Sequence, residues 1–342
     1  MSGEWRPDVL GAGFEQRTLP LGEDDEGEVV ATLVRHRPVA PRWRGPASGI
    51  DVLYVHGWSD YFFQTGLAEF WHGLGARFFA LDLRKYGRSL RPHQTPGFAS
   101  DLAVYDEDIA AARSVMGEHG HRGRRLVLMG HSTGGLTLSL WAARHPEELT
   151  ALVLNSPWLE FQARAVGRQM LAPWMMLRAR VAPHGTLPVI DQGFYSRTVS
   201  ATLEGEWEYD PAWRPERGFP VSPAWLTAVL AGHRRVERGL NLRMPVLTLL
   251  SSRSVLLPWW SDEMRSADVA LDVRSIGERA ATLGTTITIA RIDGAVHDVV
   301  LSAPRIRARA YAEIERWARG YLPADRPISG RTGRAAPPTG AA

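Results

Sequence analysis

Two early stretches, residues 14–21 and 28–37, mix apolar and polar positions with the short period of half-buried strands. The acidic turn Gly22-Glu23-Asp24-Asp25-Glu26-Gly27 separates them, which predicts an antiparallel hairpin on a sheet edge. Downstream the pattern changes to short, nearly continuous apolar runs at 50–55, 77–81, 126–129 and 149–154. Runs of that length read as strands buried on both faces. Between them lie helix-period stretches near 63–74, from the N-cap candidate Ser100 to 118, and from Leu136 to His145. Strand and helix alternate through short connections, so this half predicts a mostly parallel, doubly wound sheet with helices on both faces.

The alternation stops after Asn155. From Ser156 to Leu242 the chain is helix-like, punctuated by proline, and carries Trp158, Trp174, Trp207, Trp213 and Trp225. The rhythm then resumes with a strand at 245–250, a helix near 273–283, a strand at 285–292 and a closing helix at 304–321. The expected architecture is therefore α/β, with residues 1–156 and 243–322 as one discontinuous core. Residues 157–242 are read as a helical cap inserted between two strands, and residues 323–342, small and rich in Pro, Gly and Arg, as a disordered tail. Within the cap, Met170, Leu171, Trp174, Met175, Met176 and Leu177 either line an apolar pocket or pack the cap onto the core. Tyr61, Phe62 and Phe63 pose the same choice.

Composition narrows the chemistry. The 342 residues are 44% hydrophobic and 23% charged, ordinary globular values, and the net charge is only +3. Of 40 basic residues only Lys85 is lysine, and no dense basic patch points to nucleic acid. Without cysteine there is no disulfide, thiolate nucleophile or cysteine-ligated metal. No run approaches the ~18 apolar residues of a spanning helix, and the first residues lack a signal-peptide pattern, which predicts a cytoplasmic protein without integral membrane association. Glu118-His119-Gly120-His121 lies in a charged loop without a metal-binding helix motif, so neither metal nor cofactor is expected.

One stretch carries chemistry plainly. Gly130-His131-Ser132-Thr133-Gly134 follows the apolar strand and precedes the helix beginning near Leu136. This is the G-x-S-x-G pattern, in which Gly130 and Gly134 let strand and helix pack closely while the serine adopts a strained turn that lifts its hydroxyl clear. A serine hydroxyl needs a general base and a group to orient that base. The histidine just past a late strand is His297, in Ile292-Asp293-Gly294-Ala295-Val296-His297-Asp298, and catalytic groups on a parallel sheet gather at C-terminal strand ends. Asp82 and Arg84 suggest a structural ion pair, and Asp106-Glu107-Asp108 an exposed helix face.

Through these residues, with His56-Gly57-Trp58, Asp82-Leu83-Arg84, Gly87 and Ser89, the chain resembles the α/β-hydrolases, in particular the serine aminopeptidase and monoglyceride-lipase branch. The resemblance covers about residues 28–320. It implies an α/β-hydrolase fold, Ser132 as nucleophile, and backbone donors for an oxyanion at Trp58 and Thr133. His56, Gly57 and His131 would shape the site rather than react. The branch would place its acid near Ser254, which cannot serve; an acid-turn pattern instead falls on Asp268, after an inserted loop. Asp272 and Asp262 are the alternatives.

The resemblance further implies a serine hydrolase acting on small, lipid-like carboxylic esters with an apolar acyl or alcohol part. Peptidase, thioesterase and acyltransferase activities use the same three groups and stay open. So does a non-catalytic ligand binder, which the displaced acid would favour. Dehalogenase and epoxide-opening relatives carry aspartate at the elbow, and serine here speaks against both.

Overall fold

The protein is described from a computed structural model covering residues 3–38, 45–118, 123–161, 178–187 and 192–322. The expectations for Met170 to Leu177, for His119 and His121, and for the tail lie outside these residues.

Nine strands form one sheet: β1 (Arg6–Pro7), β2 (Phe14–Asp24), β3 (Gly27–His36), β4 (Ile50–Val55), β5 (Arg77–Asp82), β6 (Arg125–His131), β7 (Ala151–Asn155), β8 (Val246–Ser251) and β9 (Ile287–Ile292). Their spatial order is β1-β2-β3-β5-β4-β6-β7-β8-β9. β2 and β3 form the antiparallel edge, and β3 joins β5 antiparallel before every later pairing turns parallel. This is the α/β-hydrolase fold. The helices that lie wholly within the described residues are α1 (Thr65–Gly73), α2 (Tyr105–Met116), α3 (Thr133–Arg144), α4 (Phe194–Val199), α5 (Pro223–Glu237), α6 (Val273–Ala280) and α7 (Pro304–Tyr321).

The central strands β4 to β8 are largely apolar because both faces are covered. Leu53 and Val55 of β4 join one buried layer with Ile109, Leu128 and Trp141. Val52 and Tyr54, pointing the other way, join Trp71, Met129 and Trp317. Phe62 joins this second layer, whereas Tyr61 and Phe63 are buried in a separate cluster with Val199 and Leu301.

Three local expectations need correction. Helix α2 begins at Tyr105, not near Ser100: a 3-10 turn precedes it, and the Asp101 carboxylate accepts from Ala103 N–H in the capping role. Asp82 does not pair with Arg84. It accepts from Arg88 at 2.8 Å, while Arg84 reaches Asp108 at 2.7 Å and Glu107. Asp108 is accordingly buried rather than exposed, and burial pushes its carboxyl up to about 6 against the pull of Arg84.

Between β7 and β8 the described residues include a helical stretch at 178–181, α4 and α5. Ser222 caps α5 by accepting from Trp225 N–H, and Pro223 fits the first turn, where no N–H is needed. Gly232 lets α5 approach Leu136 and Leu140 of α3; a Cβ there would stand 3.1 Å from Leu140. No described helix is long and apolar enough to cross a membrane.

Candidate active site

The elbow is built by close approach. Ser132 sits between β6 and α3 at φ 49°, ψ −114°, a conformation rare outside glycine, and its N–H is held by Asn155 O at 3.0 Å. A Cβ on Gly130 would fall 2.7 Å from Gly134 O, and one on Gly134 would overlap the His56 carbonyl oxygen. Only glycine allows β6, α3 and the loop after β4 to meet here.

Three sequence-predicted side chains come together. His297 Nε2 stands 3.1 Å from Ser132 Oγ, and His297 Nδ1 stands 2.8 Å from Asp268 Oδ2. The other Asp268 oxygen accepts from the N–H groups of Ala270 and Leu271, each at 2.8 Å. Asp268 and His297 are buried, whereas Ser132 is partly exposed. Asp262 and Asp272 are elsewhere: Asp262 is largely exposed beside Arg265, and Asp272 caps α6 by accepting from Arg274 N–H.

The loop after β4 supplies the facing wall. His56 Nε2 accepts from Leu83 N–H at 3.1 Å, so its Nδ1 carries the proton and donates to Gly57 O at 2.7 Å. It staples two loops together and lies away from Ser132. Gly57 brings the backbone against the elbow, where a Cβ would meet Ser132 Cβ at 3.1 Å. Among the described residues, neither the Trp58 N–H nor the Thr133 N–H has a hydrogen-bond acceptor. Thr133 is also the first residue of α3, at the positive end of the helix dipole.

Behind the elbow the site-shaping His131 joins a polar cluster whose other members, Asp60, Asp298, Tyr195 and Arg214, the sequence did not point to. His131 Nδ1 faces the Asn155 carbonyl at 3.1 Å, so it carries the proton, and Nε2 accepts from the Tyr195 hydroxyl at 3.2 Å. Burial, with some help from His297, lowers the His131 imidazole to about 4. Asp298 accepts from Asn155 Nδ2 at 2.6 Å, from Val300 N–H at 3.1 Å and from Gln64 at 3.4 Å. Asp60 is buried, and burial pushes its carboxyl up to about 7 although Arg214 stands 3.1 Å away. Among the described residues, Asp60, His131 and Asp298 are the group whose possible metal-ligand atoms lie within 4.8 Å of one another. The Arg214 guanidinium beside Asp60 and the Tyr195 hydroxyl on His131 already occupy two of the three. Asp60 and Asp298 flank motifs visible in the sequence, but nothing in the sequence signals that Tyr195 and Arg214 reach them from the 157–242 segment.

That segment is tied to the site at further points. Asp210 N–H donates to Tyr61 Oη at 2.7 Å, Phe219 N–H to Ser59 Oγ at 3.0 Å, and Trp207 Nε1 to Leu301 O at 2.8 Å. The Tyr195 ring stands edge-on to His297 with centroids 5.0 Å apart.

Residues 49–258 match the family described as serine aminopeptidase, S33. Among curated proteins none matches the chain. Among solved structures, it is similar to the monoacylglycerol lipase of Paleococcus ferrophilus, with 19% identity, TM-score 0.60, and 81% of this chain and 97% of that chain covered. A soluble variant of the Saccharomyces cerevisiae monoglyceride lipase, bound to a substrate analogue, gives 14% identity and TM-score 0.61 over 94% of this chain and 96% of that chain. An esterase of Thermogutta terrifontis gives 18% and 0.56, covering 90% and 99%. At these identities the likeness is one of fold.

Proposed function

The chain belongs to the serine aminopeptidase S33 family, and from that premise we propose that it is a serine hydrolase of carboxylic esters with an apolar acyl or alcohol part. The observation that carries the reading is the unbroken sequence of contacts from Asp268 through His297 to Ser132, at 2.8 and 3.1 Å. Ser132 Oγ attacks the ester carbonyl while His297 Nε2 takes its proton. Asp268 holds the imidazole in the tautomer that leaves Nε2 free to accept, and it stabilises the imidazolium that forms. The oxyanion is received by the Trp58 and Thr133 N–H groups. His297 returns its proton to the departing alcohol. Water, activated by the same imidazole, then clears the acyl-enzyme.

We assign the 157–242 segment the role of a cap that sets substrate choice, since Tyr195 brings it against His297. The test is covalent labelling by a fluorophosphonate, followed by turnover of p-nitrophenyl esters of graded acyl length. Wild type should be labelled and Ser132→Ala should not, with ester turnover lost in parallel. Turnover by Ser132→Ala at more than a tenth of the wild-type kcat would overturn the covalent route.

A further inference from the structure

The loop between Ser254 and Asp268 does more than return the chain to His297. Ser254 and Asp268 are partners in an isolated β-bridge, and Val255 N–H donates to Asp268 O at 2.9 Å. The loop therefore leaves and re-enters at one point, beyond the C-terminal end of β8, and projects from the face that carries Ser132 and His297. Its inner side is rooted: Met264 and Ala267 are fully buried, and Trp260 packs on Phe194 and under the Arg197 guanidinium.

Its outer side is apolar and bare. Leu256 is 47% exposed, Leu257 39% and Trp259 63%, with Pro258 exposed between them. Seven large apolar side chains are exposed among the described residues, and three of them fall within these four positions. A fourth, Leu203, lies in the turn whose Glu204 pairs with Arg265 of the loop.

We propose that this loop is an interfacial anchor, seating the protein on a lipid–water interface with Leu256, Leu257 and Trp259 entering the acyl region and the triad face turned toward the lipid. This rests on the ester-hydrolase reading for its purpose, not for its physics. The patch sits on a loop that projects beyond β8, which suits insertion into a soft surface. It offers roughly 300 Å² of apolar side chain, well short of the ~800 Å² per partner that a stable pair of copies needs. Tryptophan is at home at the headgroup boundary, where its ring meets acyl chains and its N–H meets water. The loop's charges are balanced: Arg253 pairs with Glu263, and Arg265 with Glu204 and Asp262. Insertion rather than headgroup charge drives the contact, and it does not need an anionic lipid. Because the loop is already rooted, little conformational freedom is lost on contact.

The experiment is co-sedimentation of the full chain with phosphatidylcholine vesicles, with and without phosphatidylglycerol, at low and high salt. Wild type should partition onto both, with little salt dependence. A Leu256→Ser/Leu257→Ser/Trp259→Ser variant should lose about tenfold or more in partition while hydrolysing soluble p-nitrophenyl acetate at the wild-type rate. All three side chains are more than a third exposed, and circular dichroism checks that the variant keeps the fold. No binding by wild type, equal binding by the variant, or binding confined to phosphatidylglycerol at low salt overturns the anchor. A wild-type dimer that the triple variant abolishes would name a second copy as the occupant and overturn it too. Vesicle binding that follows the loop in a chain without esterase activity supports the anchor and removes the ester-hydrolase reading, so the two failures are distinguishable.

Discussion

Ser254 and Asp268 face each other across a single β-bridge, so the residue that stands where the family would place its acid lies beside the carboxylate that reaches His297. Residues 255–267 are an excursion closed at its base, with Asp268 N–H bonded to Arg253 O at 3.0 Å. The Ser254 hydroxyl is committed to Leu271 O and Val273 N–H, which fixes the turn that presents Asp268. If Asp268 orients the base, Asp268→Asn loses about 10⁴-fold in kcat by favouring the wrong imidazole tautomer, as in the serine-protease precedent. Asp262→Asn leaves kcat unchanged. Asp272→Asn also leaves it unchanged, since asparagine still caps α6. Steady-state kinetics on one soluble ester checks all three, and a normal kcat for Asp268→Asn would remove it from the mechanism.

Tyr195 contributes two separable things, a hydroxyl to His131 and a ring edge to His297. Tyr195→Phe deletes the donor to a buried acceptor, which costs about 1 to 3 kcal/mol of stability, but keeps the ring. Tyr195→Ala removes the wall as well. The expected result is a lowered Tm for both, with the ranking among acyl chain lengths changed only by Tyr195→Ala. The same ranking for Tyr195→Ala and wild type would show that the ring does not border bound substrate.

The sheet was legible because buried parallel strands leave short apolar runs, and the elbow because its glycines are demanded by backbone contact. Ser132 and His297 could be paired because each follows a strand of a parallel sheet, where catalytic groups gather. Asp268 was reachable only by stretching a family pattern across the loop, since a β-bridge between Ser254 and Asp268 leaves no periodic signal. Asp82 was misread as the partner of Arg84 because neighbours in sequence on a strand-to-loop turn point apart; its partner, Arg88, returns from the next turn. Asp108 looked like one of three solvated acids, yet Arg84 reaches across to it and buries it. Tyr195 and Arg214 were invisible for the same reason: their partners are more than sixty residues away.

His36 gives a pH dependence with a definite sign. It stacks on Phe14 with centroids 4.8 Å apart, and burial, together with the nearby His72, lowers its imidazole from 6.5 to about 4. Between those values the unfolded chain binds a proton that the folded chain refuses. Stability present above 6.5 is therefore lost as the pH falls toward 4. His36→Phe keeps the stack and removes the titration. Relative to wild type, the variant should gain stability between about pH 7 and about pH 4.5, measured by urea unfolding at each pH. His131 shifts in the same direction but is common to both proteins and drops out of the difference. A difference that does not change with pH would mean that His36 titrates normally.

Arg214 and Asp60 are each about 2% exposed, and their contact at 3.1 Å is where the 157–242 segment meets the loop that carries Trp58. The guanidinium also lies over the rings of Tyr195 and Tyr209, at 4.8 and 4.5 Å. Removing one member of such a pair leaves a charge stranded in an apolar site, at a cost of about 3 to 5 kcal/mol, whereas replacing both can be nearly neutral. Arg214→Met should therefore be strongly destabilised where Asp60 is still ionised, at about pH 8 and above, and Asp60→Asn/Arg214→Met should recover most of the loss. Because burial already holds Asp60 near 7, and losing Arg214 removes the charge that keeps it lower, the single variant's carboxyl protonates more readily still. The Arg214→Met deficit should thus shrink as the pH is lowered from about 8 to about 5.5, where the folded chain takes up a proton that the unfolded chain does not. Thermal unfolding of the four proteins of the double-mutant cycle, at both pH values, reads the coupling directly. Additive losses in the cycle would show that the two charges do not depend on each other, and that the segment is held to the Trp58 loop by its neutral hydrogen bonds alone.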